Sequence, residues 1–254
     1  MTVPNYHIVI PSRFASSRFP GKPLHPLNGK PMILHVIDRA RESKASAFVV
    51  ATDDQRIAEL CEKHAVQVEM TDPAHASGTD RIAEVATRLG WSDDTIIVGL
   101  QGDEPATPAG LLDGLARNLQ AHKNADMATY CTAIESLEEY QNPHRVKVVR
   151  NCHGMAMYFS RSTIPFRRDT VSASAFPDAF THIGLYAYRC HYLKTFSQLP
   201  MAVVEQEEQL EQLRVLYNGG KIHVDLIDEV AAGVDHLSDV EAIEKILLTR
   251  FESN

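Results

Sequence analysis

The sequence predicts an α/β fold in three layers, a mostly parallel (mixed) sheet with helices on both faces. Two observations lead there. Through the first half, short apolar runs alternate with amphipathic helical stripes, the pattern of a parallel sheet covered on both sides. After about Asp126, strand-like runs follow one another with few helices between them, which predicts an antiparallel β insertion over 126–189.

The elements justify this reading one by one. His7 to Ile10 is a short apolar run ending at Pro11, a buried strand. Pro31 stands where a first helical residue would, and Ile33, Val36, Ile37 and Ala40 follow at helical spacing. Phe48 to Ala51 and Val66 to Met70 read as strands, with Ile57, Leu60 and Cys61 marking a helix between them. Ile82, Val85, Ala86 and Leu89 form the next helical stripe. Thr95 to Leu100 is an apolar strand, and Leu112, Leu115, Ala116 and Leu119 mark the helix after it. Met127 to Thr132, Val146 to Arg150, Met155 to Phe159 and His182 to Tyr188 are the strands of the second region. Gln209 to Tyr217 reads as one helix with Leu210, Leu213 and Tyr217 on one face, stopped by Gly219-Gly220. Ile222 to Ile227 is a strand, and Ser238 with Glu241 has the spacing of a capping box opening the last helix.

Composition bounds the function. A hydrophobic content of 44% and a charged content of 23% are those of an ordinary globular chain, read as one domain over 1–254. No apolar run reaches the roughly 20 residues that span a bilayer, and the start lacks a signal-peptide layout, so the expectation is a cytoplasmic protein without a membrane partner. Cys61, Cys131, Cys152 and Cys190 are too scattered for a zinc ribbon or a disulfide framework. The net charge of −8 argues against nucleic-acid binding. Any anionic ligand must therefore be held by a local basic cluster.

One such cluster is present. Residues 10 to 23 read Ile-Pro-Ser-Arg-Phe-Ala-Ser-Ser-Arg-Phe-Pro-Gly-Lys-Pro, between a strand and a helix. Arg13, Arg18 and Lys22 lie among the small residues Ser16, Ser17 and Gly21. Guanidiniums fork onto phosphate oxygens, ammonium adds a point charge, and Gly21 lets the backbone approach an anion. A Walker A loop is excluded, because Ser16 and Pro23 stand where it needs Gly and Ser or Thr. The plainer reading, a basic surface turn, is outweighed by position: ligands of such sheets bind beyond the carboxyl ends of strands. Asp103 and Glu104 also follow a strand end, and Asp103 suits a hard cation such as Mg2+. Asp239 reads as a favourable first-turn charge at a helix N-terminus.

The loop, continued by Leu24 and by Asn28-Gly29-Lys30-Pro31-Met32, closely resembles the N-terminal signature of the CMP-Kdo synthetases, the 3-deoxy-manno-octulosonate cytidylyltransferases. The resemblance runs on in order through Ala51-Thr52-Asp53-Asp54, Ser77-Gly78-Thr79-Asp80-Arg81 and Gln101-Gly102-Asp103-Glu104-Pro105. It continues in Tyr158-Phe159-Ser160-Arg161, His182-Ile183-Gly184, Glu211-Gln212-Leu213-Arg214 and Gly233-Val234-Asp235. It implies transfer of CMP from CTP to the anomeric hydroxyl of 3-deoxy-D-manno-octulosonate (Kdo), an eight-carbon acidic sugar, with release of pyrophosphate, for lipopolysaccharide synthesis. It implies Mg2+ on Asp103 and Asp235, a pairing that spacing alone does not suggest. It further implies nucleotide contacts from Arg13, Ser17, Arg18, Lys22, Ser77 and Arg81, with Arg13, Lys22, Asp103 and Asp235 serving catalysis. Sugar contacts would come from Gln101, Arg161, His182, Glu211 and Gln212, and a homodimer would form through segment 126–189.

The plainer readings stand beside these. Ser77 or Thr79 can cap a helix, Arg161 can be a strand-end charge, His182 a packed core histidine, and Glu211 a solvated partner of Arg214. The chain departs from the family in two places. His236-Leu237-Ser238-Asp239 follows Asp235 where Thr-Pro-Glu-Asp is usual, and Ser12 stands where alanine is common. Competing functions are a cytidylyltransferase for 8-amino-Kdo or a sialic acid, a nucleotide-sugar-dependent glycosyltransferase, and a non-catalytic nucleotide-binding module. Gly102-Asp103-Glu104-Pro105 lacks the Asp-x-Asp metal motif of the glycosyltransferases.

Overall fold

The computed structural model describes residues 2–15, 19–75, 77–168, 176, 178–228, 233–234 and 236–251, with residues 250 and 251 by backbone alone. The chain opens with β1 (Tyr6–Ser12), a 3-10 turn (Lys22–Leu24), a two-residue ribbon of β2 (Pro26–Leu27) and β3 (Lys30–Pro31), and α1 (Met32–Glu42). There follow β4 (Ala47–Thr52), α2 (Gln55–Lys63), β5 (Val68–Met70), α3 (Gly78–Arg88), β6 (Ile96–Gly99) and α4 (Ala109–Ala121). The second region holds β7 (Met127–Ala133), α5 (Leu137–Gln141), β8 (Lys147–Arg150), β9 (Ala156–Ser160) and β10 (Phe180–Arg189). The chain closes with α6 (Cys190–Phe196), α7 (Val203–Glu208), α8 (Gln212–Tyr217), β11 (Ile222–Leu226) and, after a 3-10 turn, α9 (Val240–Phe251).

The main path of the sheet runs β11-β7-β10-β6-β1-β4-β5. Along it β10 alone is antiparallel to its neighbours, so the sheet is mixed and mostly parallel. Segment 126–189 is built onto this sheet: β7 and β10 lie within it, and β8 and β9 form an antiparallel hairpin that pairs with β10.

Alternation along β1 sets the three layers. Ile8 and Ile10 face a core with Ile33 and Ile37 of α1, Ile57 of α2 and Leu112 and Leu115 of α4. Val9 faces the opposite core with Ile82 and Val85 of α3, Leu193 of α6 and Leu213 of α8. Strand residues of period two therefore meet helices of period 3.6 on both sides, and every one of these side chains is nearly inaccessible.

Four local expectations need correction. Pro31 is extended (φ −50°, ψ 137°) and pairs in the β2–β3 ribbon, so α1 starts at Met32. The helix read over Gln209 to Tyr217 is broken: Gln209 takes a left-handed conformation (φ 52°), α7 ends before it, and α8 begins at Gln212. The two short helices are joined by a buried ion pair, Glu205 receiving Arg214 Nε at 2.9 Å and Nη2 at 2.6 Å. Leu210 and Leu213 enter the core, but Tyr217 is 65% exposed. At the last helix the reciprocal cap is formed by the His236 N–H donating to Asp239 Oδ2 at 2.8 Å, which makes Asp239 the first-turn acid; Ser238 bonds only sideways to it. Helices α5, α6 and α7 carry no long apolar stripe, and for that reason sequence periodicity does not reveal them.

Two histidines of the sheet make stability depend on pH. Burial, aided by the charge of His122 stacked 3.5 Å away, lowers His223 to about 4, and burial lowers His182 to about 3. In the unfolded chain both titrate near 6.5. Unfolding therefore takes up protons below that value, and the stability the neutral rings provide is complete above it and lost as pH falls toward 4. The urea midpoint is expected to drop between pH 7 and pH 5, with a shallower drop in His223→Gln. An unchanged midpoint across that range would contradict the account.

Candidate active site

A cleft of about 220 Å3 opens at the carboxyl ends of β1 and β6. Its lining brings together Arg13, Lys22, Ser77, Arg81, Gln101 and Asp103, predicted site residues from three separate loops.

Lys22 is the centre of this arrangement. It is 8% exposed, and its ammonium donates to Asp103 Oδ2 at 2.5 Å and to the Val234 carbonyl at 2.8 Å. The Val234 N–H in turn donates to the Asp103 carbonyl at 2.9 Å. Val234, the residue before Asp235, is thus fastened to the loop that carries Asp103. Asp235 itself, like Ser17 and Arg18, lies outside the described residues. A small apolar core backs the junction: Leu27, Met32, Ala106 and Val234 pack with Ile243 and Leu247 of α9. Glu244 of α9 adds a clamp, accepting the Asn28 N–H at 2.7 Å.

The basic loop is closed on itself. The Gly21 N–H donates to the Phe14 carbonyl at 3.0 Å, and Gly21 is left-handed (φ 73°). Its use is therefore conformational, since the N–H expected to approach an anion is already bonded. Arg13 is exposed on the cleft wall. Arg56, which sequence reasoning passed over, stacks on Phe14 at 3.5 Å from the ring centre while paired with Asp54.

Arg81 lines the cleft but is almost wholly buried, bonded to Asp53 at 2.9 Å and to Thr71. Asp53 belongs to a stretch of the family resemblance with no assigned role, and the structure makes it the counter-charge of Arg81. His75, also on the wall, bonds Glu84 at 2.6 Å; no sequence signal singles it out.

Ser77 joins the cleft to a second, smaller hollow. Its Oγ accepts from the Asp80 N–H at 3.1 Å, which caps α3, and lies 2.9 Å from Asp80 Oδ2 and 2.8 Å from Glu211 Oε1. Burial raises Glu211 from the usual carboxylate value, while its hydrogen bond with Ser77 works in the opposite direction. The plainer reading of Glu211, a solvated partner of Arg214, fails: Arg214 pairs with Glu205. The second hollow is lined by Thr79, Tyr186, Tyr188, Phe196, Glu211 and Gln212, among others. Its tyrosines and Thr79 are contributions that their scattered positions hide in sequence.

The remaining predicted sugar contacts lie behind this hollow. His182 Nε2 is 3.0 Å from Thr129 Oγ1, and the ring packs on Phe159 and on Tyr186, a residue of the hollow. Thr129 Oγ1 also faces the carbonyls of Ile183 and Leu185, so it donates to them and accepts the His182 Nε2–H. Arg161 is turned to main-chain carbonyls, Glu208 at 2.7 Å, Pro143 at 3.1 Å and Gln209 at 3.4 Å, and holds the α7–α8 corner in place.

The geometry thus offers cationic side chains beside one partly open carboxylate, and next to them a smaller, mainly apolar hollow with a raised carboxyl. Comparison with known proteins agrees. The sequence model of a family described as Cytidylyltransferase matches residues 7–222. A 3-deoxy-manno-octulosonate cytidylyltransferase of Nitrosococcus oceani is 46% identical over 97% of this chain and 98% of its own length. A protein of the same name from Alkalilimnicola ehrlichii is 49% identical over 97% of each chain. Among solved structures, a CMP:2-keto-3-deoxy-manno-octonic acid synthetase complexed with CTP superposes with a TM-score of 0.89 at 38% identity, covering 97% of this chain and 100% of that one. A cytidylyltransferase from Leptospira borgpetersenii, 17% identical with a TM-score of 0.62 over 94% of this chain and 85% of its own, shares the fold. Motifs, fold and relatives agree over nearly the whole length, and the chain belongs to the 3-deoxy-manno-octulosonate cytidylyltransferases of the cytidylyltransferase family.

Proposed function

We propose that this enzyme transfers CMP from CTP to the anomeric hydroxyl of Kdo, with pyrophosphate as the leaving group. The observation that supports the reading is the Lys22 ammonium bound to both Asp103 and Val234, because it ties the basic loop to Asp103 and to the residue before Asp235. The sugar oxygen attacks the α-phosphorus as the bond to the β-phosphate oxygen breaks, and the hydroxyl proton leaves to solvent. Such transfers rest on alignment and charge neutralisation. Arg13 and Lys22, with Arg18 of the same loop, hold the triphosphate and the departing pyrophosphate. Ser77 couples the nucleotide cleft to the sugar hollow, where Glu211 and Gln212 orient the acceptor and Gln101 borders both substrates. Arg161 and His182 act from behind, by shaping that hollow.

Asp103 fits a hard divalent cation. One carboxylate oxygen takes Lys22, yet the side chain stays 36% exposed on the cleft. A hard cation of this kind needs only one or two protein carboxylates beside substrate oxygens. Asp103 with Asp235 would hold Mg2+, which when bound offsets phosphate charge and acidifies the attacking hydroxyl.

The reading extends to a cytoplasmic homodimer. Met157 and Tyr158 are exposed on β9 at 62% and 37%, and Leu226 on neighbouring β11 at 42%. These exposed apolar side chains, on β9 and β11, suit contact with a second copy. The cysteines are free, in keeping with a reducing compartment, and no helix among the described residues is long and apolar enough to cross a membrane.

Pyrophosphate release from CTP and Mg2+ is expected with Kdo and not with a sialic acid, and EDTA should abolish it. Release with 8-amino-Kdo alone would reassign the sugar, and no release with any of the three would refute the reading. Asp103→Asn is expected to fold normally and to lose at least roughly 100-fold in kcat; near-normal turnover would remove the metal assignment. Lys22→Ala is expected to lower kcat/KM for CTP by a similar factor, and unchanged kinetics would make the loop structural.

A further inference from the structure

Ser12, the last residue of β1, is 4% exposed, and its Oγ is buried with no hydrogen-bond partner among the described residues. A buried hydroxyl without a partner costs free energy, so such atoms call for an explanation. His7, Arg39, Asn118, Tyr192 and His223 each hold a polar atom in the same condition, and none of them lines the cleft; Ser12 does.

The surroundings of Ser12 indicate the ligand. A Cβ built on Gly102 would lie 3.0 Å from Ser12 Oγ and 3.0 Å from the Pro11 carbonyl. One built on Gly78 would lie 3.3 Å from Gln101 Oε1 and 3.4 Å from Pro11 Cγ. Pro11, Ser12, Gly78, Gln101 and Gly102 therefore form one continuous, uncharged wall, in which the two glycines let its members pack closely on one another. The charges of the cleft, on Arg13, Lys22, Arg81 and Asp103, belong to its other lining residues. An uncharged wall suits an uncharged ring, and phosphates are better served by the cations. A hydroxyl both donates and accepts, so it can satisfy either kind of group on the ring edge.

We propose that Ser12 Oγ hydrogen-bonds the pyrimidine base of bound CTP and is a nucleotide-binding residue of this enzyme. The assignment rests on the reading of the cleft as the CTP site. Ser12→Ala tests it, a substitution the fold accommodates because alanine is common at this position in the family. Calorimetric titration of the full-length protein is expected to show roughly five- to tenfold weaker binding of both CTP and CMP. Inhibition by inorganic tripolyphosphate should not change, because that probe has no base. Melting of the unliganded variant should occur at or above the wild-type temperature, because the lost hydroxyl had no partner to lose. Unchanged CTP affinity would overturn the assignment while leaving the CTP site intact. An equal loss for tripolyphosphate, or a lower unliganded melting temperature, would overturn it in favour of a phosphate or structural role. Failure of the wild type to bind CTP would overturn the reading of the cleft and this assignment with it.

Discussion

The site depends on one nearly buried ammonium. An ammonium removed from water is costly unless its donors are met, and Lys22 meets the requirement with a carboxylate and a main-chain carbonyl. Those two acceptors come from loops more than a hundred residues apart in the chain, after β6 and before α9. The same charge therefore anchors the basic loop, orients the Asp103 carboxylate and fastens the segment leading to Asp235. In the proposed reading, the charge that would neutralise phosphate also assembles the surface on which phosphate would sit. Pairing Lys22 with Asp103 further keeps two opposite charges together where either alone would be expensive.

Around this junction the fold supplies rigidity. Strands β1 and β6 lie side by side in parallel, so the loops after them emerge together at one edge of the sheet. The Gly102 N–H donates to the Pro11 carbonyl at 3.2 Å and fixes the spacing of those loops. Helix α9 covers the junction through Ile243 and Leu247, while the bonded corner of α7 and α8 presents Glu211 and Gln212 at the neighbouring hollow. Ser77 links the two halves through its contact with Glu211.

Much of this was legible in the sequence, for physical reasons. Period-two and period-3.6 patterns over long segments mark β1, β4, β6 and α1 to α4, because their burial is continuous. The basic loop stood out because its Arg and Lys lie among small residues at a strand's carboxyl end, where ligands of such sheets bind. What stayed hidden depends on tertiary contact. The break at Gln209 is decided by the Glu205–Arg214 pair, since no Gly or Pro marks it. Arg161 looks like a ligand for a carboxylate, but in the fold its donors go to the carbonyls of the α7–α8 corner. Arg81 needs Asp53 beside it before its burial makes sense. The proximity of residues 103 and 234 is made by a lysine, a main-chain hydrogen bond and a small apolar core, none of which local pattern can reveal.

The claim that this lysine organises the site is tested most directly by amide hydrogen exchange at Val234 in Lys22→Gln and in the wild type, without ligand. The account predicts that the Val234 N–H, bonded to the Asp103 carbonyl, loses protection in the variant while the amides of β1 and β6 keep theirs. Equal protection of Val234 in both proteins would show that the two segments are held together without the ammonium, and would contradict the account.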